Sequence, residues 1–307
     1  MNRRSGAVLT PFMVSTLLAC GGSPSPAPVV PPSPPPVGFR YLAGGDSRDD
    51  SSHVVPWAFA EAKARQASGF FFLGDMELTP ELDRWFSDEL TQLAPVSFFP
   101  VLGNHEIQQF GFLSIGVASA EKSFRQRFLG SVHGAPASAL VDKVVYSMNL
   151  PGGVHFVALD NVTQHGFGLE QLAWLEVDLT RAHADASTKH IIVGMHKPLA
   201  RTGISPRGMD HDGPGAIVDS DAALELFRKN GVSLILMSHV HQFAKIELGG
   251  IPAYITGGLG APLDNVGPER AFHHFLQIDV SDAGLEVSVV KFGGKQTVAQ
   301  ERETEED

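Results

Sequence analysis

Five short segments of this chain place an oxygen or nitrogen donor directly behind an apolar run. Asp46 follows FRYLAGG, Asp75 follows FFFLG, and Asn104 with His105 follows FFPVLG. His196 follows HIIVGM, and His239 and His241 follow LILMS. Carboxylate, amide oxygen and imidazole together form a donor set for borderline-to-hard divalent cations. Each donor also has a purely structural use. Asp46 and Asp75 could cap helices, Asn104 could serve a turn, and a histidine behind a buried strand could simply be hydrogen-bonded. The ordered recurrence of all of them favours a shared metal site.

Such donors act together only if the fold collects them. The apolar runs read as strands, and a parallel-type sheet gathers strand ends at one edge, where sites of open α/β sheets form. From Phe39 to about Phe292 strand-like runs alternate with helical ones, the pattern of a layered α/β domain. Helices are predicted over Val54 to Gln66, with Pro56 in the first turn, and over Pro80 to Leu93, with Thr79 as N-cap. Two more are predicted. One is Leu169 to His183, on Leu172, Leu175, Val177 and Leu179; the other is Asp219 to Asn230, capped by Asp219 or Ser220 and closed by Gly231. YSMNL, VHFVALD, AYITGGLGAP, HHFLQIDV and LEVSVVKF supply further strands. Gly257-Gly258-Leu259-Gly260 lacks a full phosphate-loop pattern and reads as a loop close to the site, where glycine permits close backbone approach.

The series GDSR, GD, GNHE, GMH and SHVH, in this order, resembles the calcineurin-like metallophosphoesterase superfamily, in particular its purple acid phosphatase-like branch. The resemblance covers nearly all of the folded part. It implies a four-layer α/β/β/α sandwich of two mixed β-sheets flanked by helices, and two divalent or trivalent metal ions (Fe, Mn or Zn). Carried over by position, Asp46, Asp75 and His241 hold the first metal, and Asp75, Asn104, His196 and His239 hold the second, with Asp75 bridging. The implied reaction is hydrolysis of a phosphomonoester or phosphodiester by a metal-bridging hydroxide, with His105 as general acid, oriented by Asp75 or Glu106.

Two positions depart from the family pattern. Arg48 stands where D-x-H has histidine, and arginine cannot ligate a metal. The tyrosine that the purple acid phosphatases carry after GD is absent from GDMELTP. The first site is therefore one protein ligand short, to be filled by water or Asp49. Arg48 either grips the substrate phosphate or pairs with Asp49 or Asp50 at the surface. Ser238, the second departure, replaces the usual glycine before HxH, a mild change. The Gly/Pro-rich stretch from Leu199 to Val218 is expected to line the substrate cleft, with Arg201, Arg207 and His211 as candidate contacts. His53, His133, His155, His165, His183 and His190 are assigned no role.

The 307 residues are 43% hydrophobic and carry a formal charge of −11, which argues against a nucleic-acid-binding surface. Residues 1–19 have a signal-peptide anatomy, with Arg3 and Arg4 ahead of an apolar stretch too short to span a membrane. Leu17-Leu18-Ala19-Cys20 resembles a bacterial lipobox, and Cys20 is the single cysteine. Lipidation at Cys20 would anchor the chain to the cell envelope, facing the periplasm or exterior. The alternative is an ordinary cleaved secretory signal. Residues 20–38 form a proline-rich tether, 39–293 the catalytic domain, and 294–307 a charged tail. The expected partners are a small phosphorylated substrate and a membrane. The competing function is a lipid-anchored binding or scaffolding module on a catalytically degenerate version of the same fold.

Overall fold

The computed structural model describes residues 38–76, 87–108, 117–128, 135–204 and 207–294, all within the compact unit Pro35–Asp307. The signal segment, Cys20, the tether, Thr79 with the first half of the helix expected from Pro80, and the tail beyond Gly294 lie outside the described residues. Residues 87–92 of that helix are helical. Among the described residues no helix is long and apolar enough to cross a membrane.

Two mixed sheets form the centre of the molecule. The first has five strands in the order β12-β11-β1-β2-β3, with β1 (Phe39–Gly44), β2 (Gly69–Phe72) and β3 (Ser97–Pro100) parallel. The strand β11 (His274–Ser281) runs antiparallel to β1, and β12 (Gly284–Lys291) runs antiparallel to β11. The second has seven strands in the order β4-β5-β6-β7-β8-β10-β9. Its parallel centre is β6 (Val154–Ala158), β7 (His190–Gly194), β8 (Val232–Met237) and β10 (Ile251–Thr256). It is flanked by the antiparallel strands β4 (Ser138–Ala139), β5 (Tyr146–Leu150) and β9 (Phe243–Leu248).

The layers follow from the period of two along each strand. In β2, Phe70 and Phe72 face a core shared with the helix α1 (Val54–Ala64), while Phe71 faces the other sheet. In β8, Leu234 and Leu236 face that same inter-sheet seam, while Ile235 and Met237 face the helices α4 (Gly168–Ala184) and α5 (Pro214–Lys229). Both faces of each central strand are thus apolar, as buried parallel strands require. Phe71 ties the seam together, stacking on Tyr41 of its own sheet at 5.2 Å and on Phe156 of the opposite sheet at 4.1 Å. The expected four-layer α/β/β/α arrangement is the one observed.

The helix boundaries need two corrections. The helix expected to start at Asp219 begins at Pro214, behind Gly213, whose φ of 101° suits glycine alone. Asp219 therefore sits inside α5 and caps a neighbour instead, accepting the Gly168 amide at the head of α4 at 2.8 Å. Ser220 likewise accepts the Ala200 amide at 2.9 Å. In α4 the buried stripe is Leu175, Leu179 and Ala182, with Leu172 partly buried. Val177 lies two residues off this stripe and is 67% exposed. At α1 the amides of Val54 and Val55 are taken by the Asp50 carboxylate at 2.8 and 3.0 Å, so Asp50 works as a helix cap.

Candidate metal centre

The parallel strands of both sheets end at one edge of the seam, and the donors sit on the residues just beyond them. Asp46 follows β1, Asp75 follows β2, and Asn104 opens the short helix α2 (Asn104–Gln108) behind β3. His196 follows β7, and His239 and His241 follow β8. Asp46, Asp75 and His239 have φ of 62°, 58° and 66°, the left-handed region, which turns the chain sharply enough to aim a side chain back over the strand ends.

Two clusters result, and they share Asp75. Ligand-type atoms of Asp75, His196 and His239 lie within 4.8 Å of one another, as do those of Asp46, Asp75 and His241. In the first cluster His196 Nε2 stands 3.2 Å from Asp75 Oδ1, 3.0 Å from Asn104 Oδ1 and 3.1 Å from His239 Nδ1. The tautomer follows from the far side of the ring, where Nδ1 lies 2.8 Å from Leu73 O. A carbonyl only accepts, so Nδ1 carries hydrogen and Nε2 presents its lone pair in the neutral ring. His241 repeats the device, with Nδ1 2.7 Å from Pro262 O and Nε2 3.4 Å from Asp46 Oδ1.

Asp75 Oδ1, Asn104 Oδ1, His196 Nε2 and His239 Nδ1 therefore converge on one point, and the two oxygens and the neutral His196 ring face it as acceptors. This is the arrangement a cation fits. Without one, a proton must serve. Burial would push the His196 imidazole down, but the charge and hydrogen bond of Asp75, with Asp46 behind, hold it at about 9. Burial and the charge of His196 drive His239 down to about 3. Burial would raise Asp46, yet the nearby His241 ring, the charge of His196 and the Ser238 hydroxyl keep it at about 2. His241 is shifted up, against its burial, by Asp46. Asp46 Oδ1 is buried without a hydrogen-bond partner among the described residues, a second feature that suits a cation.

Several site residues were missed or undervalued in the sequence. Glu106, buried in α2, accepts the amides of Gly103 at 2.6 Å, Asp75 at 3.0 Å and Met76 at 2.5 Å. It holds the GD and GNHE turns together, and burial and the nearby Asp75 charge raise its carboxyl to about 7. A Cβ on Gly103 would run into Asp75 and Glu106, so this turn closes only around glycine. Asn161, behind β6, exchanges two hydrogen bonds with the Lys197 backbone, at 2.8 and 3.1 Å, and so fixes the loop that carries His196. Its sequence signal, a polar pair after VHFVAL, resembles the other strand ends. Gly257 lies against Val240 O and Asp46 Oδ2 in the manner expected of the glycine loop.

The remaining candidates divide. His105 is partly exposed, its amide donates to Asp75 Oδ1 at 2.9 Å, and its Nε2 lies 3.8 Å from Asp75 Oδ2. Asp75 stands beside this ring as expected, while Glu106 serves the backbone. Arg48 is half-buried and its amide donates to Asp75 O at 3.1 Å. Asp49 is exposed and belongs to neither cluster. Arg201 pairs with Asp221 on the surface, and exposed His211 lies in a 3-10 turn. Arg207 pairs with Asp264, whose amide bonds His241 O at 3.0 Å, and its charge reaches His239.

Glu106→Ala leaves three buried amides without an acceptor. At about 1–3 kcal/mol for each unsatisfied group, the variant is expected to lose about 3 kcal/mol or more in denaturant unfolding of the metal-free protein. A loss under about 1 kcal/mol would contradict this role.

Comparison with solved structures finds the same fold at low identity. A purple acid phosphatase from yellow lupin (Lupinus luteus) seeds matches with a TM-score of 0.59 at 19% identity, over 84% of this chain. The match spans only 52% of the lupin protein, about half its length. A dimetal phosphatase from Danio rerio matches with a TM-score of 0.56 at 16% identity, over 84% of this chain and 100% of that one. GAP50, the anchor in the inner membrane complex of Plasmodium, matches with a TM-score of 0.61 at 15% identity, over 85% and 86%. A comparison with curated proteins found no match. The family model for calcineurin-like phosphoesterases matches residues 45–243, which contain all six candidate ligands, and the chain belongs to that family.

Proposed function

We propose that this chain is a metal-dependent phosphoesterase. The carrying observation is the pair of donor clusters joined by Asp75. In this reading Asp46, Asp75 and His241 hold one cation, and Asp75, Asn104, His196 and His239 hold the other. Two cations in such a site supply Lewis acidity, activating water and neutralising phosphoryl charge. The protein's own part is to hold that site dry and shaped. His196 and His241 are pinned through their Nδ1 hydrogens, and Asp75 is fixed by the turns that Glu106 clamps. His105, at the solvent side of Asp75, is in reach to give a proton to the leaving oxygen. Arg48, half-buried two residues after Asp46, is the candidate grip for the substrate phosphate.

The test is hydrolysis of a chromogenic phosphomonoester and phosphodiester by protein loaded with Mn, Fe or Zn, paired with elemental analysis. Turnover with about two metals per chain is expected, abolished by a chelator and restored by metal. A well-folded protein with fewer than one bound metal and no turnover would favour the scaffolding reading. Asp75→Asn is expected to lower kcat/KM by at least about 100-fold, because both clusters lose their common ligand. Arg48→Ala is expected to raise KM about tenfold with metal content unchanged, the scale of one charge-assisted contact. An unaltered KM would return Arg48 to the surface-pair reading.

The lipobox-like Leu17-Leu18-Ala19-Cys20 supports anchoring at a bacterial membrane, facing the periplasm or exterior. Cys20→Ala is expected to move the protein from the membrane pellet to the soluble fraction. Unchanged partition would remove the lipid anchor from the proposal.

A further inference from the structure

We propose that Ser238 is a positioning residue that commits Asp46 to a single ligating oxygen, and so sustains the metal position that lacks an imidazole because Arg48 stands in its place. This rests on the two-metal reading above. Ser238 is fully buried at the end of β8, and its amide donates to His196 O at 2.8 Å. Its hydroxyl donates to Asp46 Oδ2, the oxygen that also accepts the His239 amide at 2.7 Å. The other acceptor near the hydroxyl, Thr256 O, is uncharged and farther away at 3.4 Å, so the single Ser238 proton belongs to Asp46.

Two donors on Oδ2 stop the carboxylate from rotating. They leave Oδ1 buried, without a hydrogen-bond partner among the described residues, and beside His241 Nε2 at 3.4 Å. Space for the hydroxyl exists because residue 45 is glycine, where a Cβ would collide with Ser238 Oγ. A glycine at position 238 would leave the His239 amide as the only donor on that side. Hydrogen bonds to metal ligands fix ligand orientation, and losing one costs about 10–100-fold in metal affinity.

The experiment titrates Mn²⁺ into metal-free wild type, Ser238→Ala and Ser238→Gly, followed by calorimetry and by electron paramagnetic resonance. Thermal melting of the metal-free proteins serves as a check on folding. Wild type is expected to bind two ions and give the signal of a spin-coupled pair. Both variants are expected to keep one ion at wild-type affinity and to bind the other about 10–100-fold more weakly. At one added equivalent they should show an isolated ion. Folded variants that bind both ions with wild-type affinity and coupling would overturn the role of Ser238 alone. Failure of both variants to fold would overturn it in favour of packing. A wild type that binds fewer than two ions would overturn the two-metal reading itself.

Discussion

The placement of Asp75 is the constraint on which this molecule depends. Its carboxylate must be buried, because it belongs to both donor clusters, and it must point back over the strand ends. The chain achieves this with a left-handed residue at the end of β2 and with Glu106, which gathers the amides on either side of the turn. The geometry comes with a charge problem. Asp46, Asp75 and Glu106 are all nearly solvent-free and packed around one centre, and burying uncompensated carboxylates is costly. Glu106 eases it by titrating upward, and His196 by holding a proton against its burial. Cations in the two clusters would remove the same cost more completely, so an arrangement that is unfavourable as bare protein is favourable as a binding site.

The two sheets serve this centre as much as they serve stability. Phe71 and Phe156 stack face to face across the seam, and the strands that carry them lead to Asp75 on one side and, through β7, towards His196 on the other. Aromatic packing therefore sets the distance between ligands that come from different sheets. Asn161 adds a polar tie between neighbouring strand ends, with both of its side-chain groups spent on the Lys197 backbone. A change in the inter-sheet core should be felt at the ligands, because close-packed interiors transmit strain.

Much of this was legible in the sequence because strand ends announce themselves. A short apolar run followed by Gly-Asp or Gly-Asn-His marks both an element and the direction of the next side chain, and the ligand candidates came from that signal. What it hid were residues whose role depends on contacts distant along the chain. Asp219 looked like a cap for its own helix, but it caps α4, since Gly213 and Pro214 start α5 one turn earlier. Asp50 looked like a surface residue, but it is buried and caps α1. Val177 fitted an apolar pattern by composition while pointing to solvent, two residues off the buried stripe.

Ser238 is the sharpest instance of the same limit. As a small change from the family's glycine it looked inconsequential. Its meaning appears only when Asp46, 192 residues earlier in the chain, is brought against it. The two departures from the family pattern then fall on one carboxylate's neighbourhood. Arg48 replaces an imidazole two residues after Asp46, and Ser238 adds a hydroxyl to the back of Asp46. A site that loses a ligand loses enthalpy and also the constraint that kept its other ligands in register. A buried donor behind a remaining ligand restores the second without the first. On the proposed two-cation reading the centre would be asymmetric: one position would rest on four side chains, and the other on three plus the orientation that Ser238 imposes.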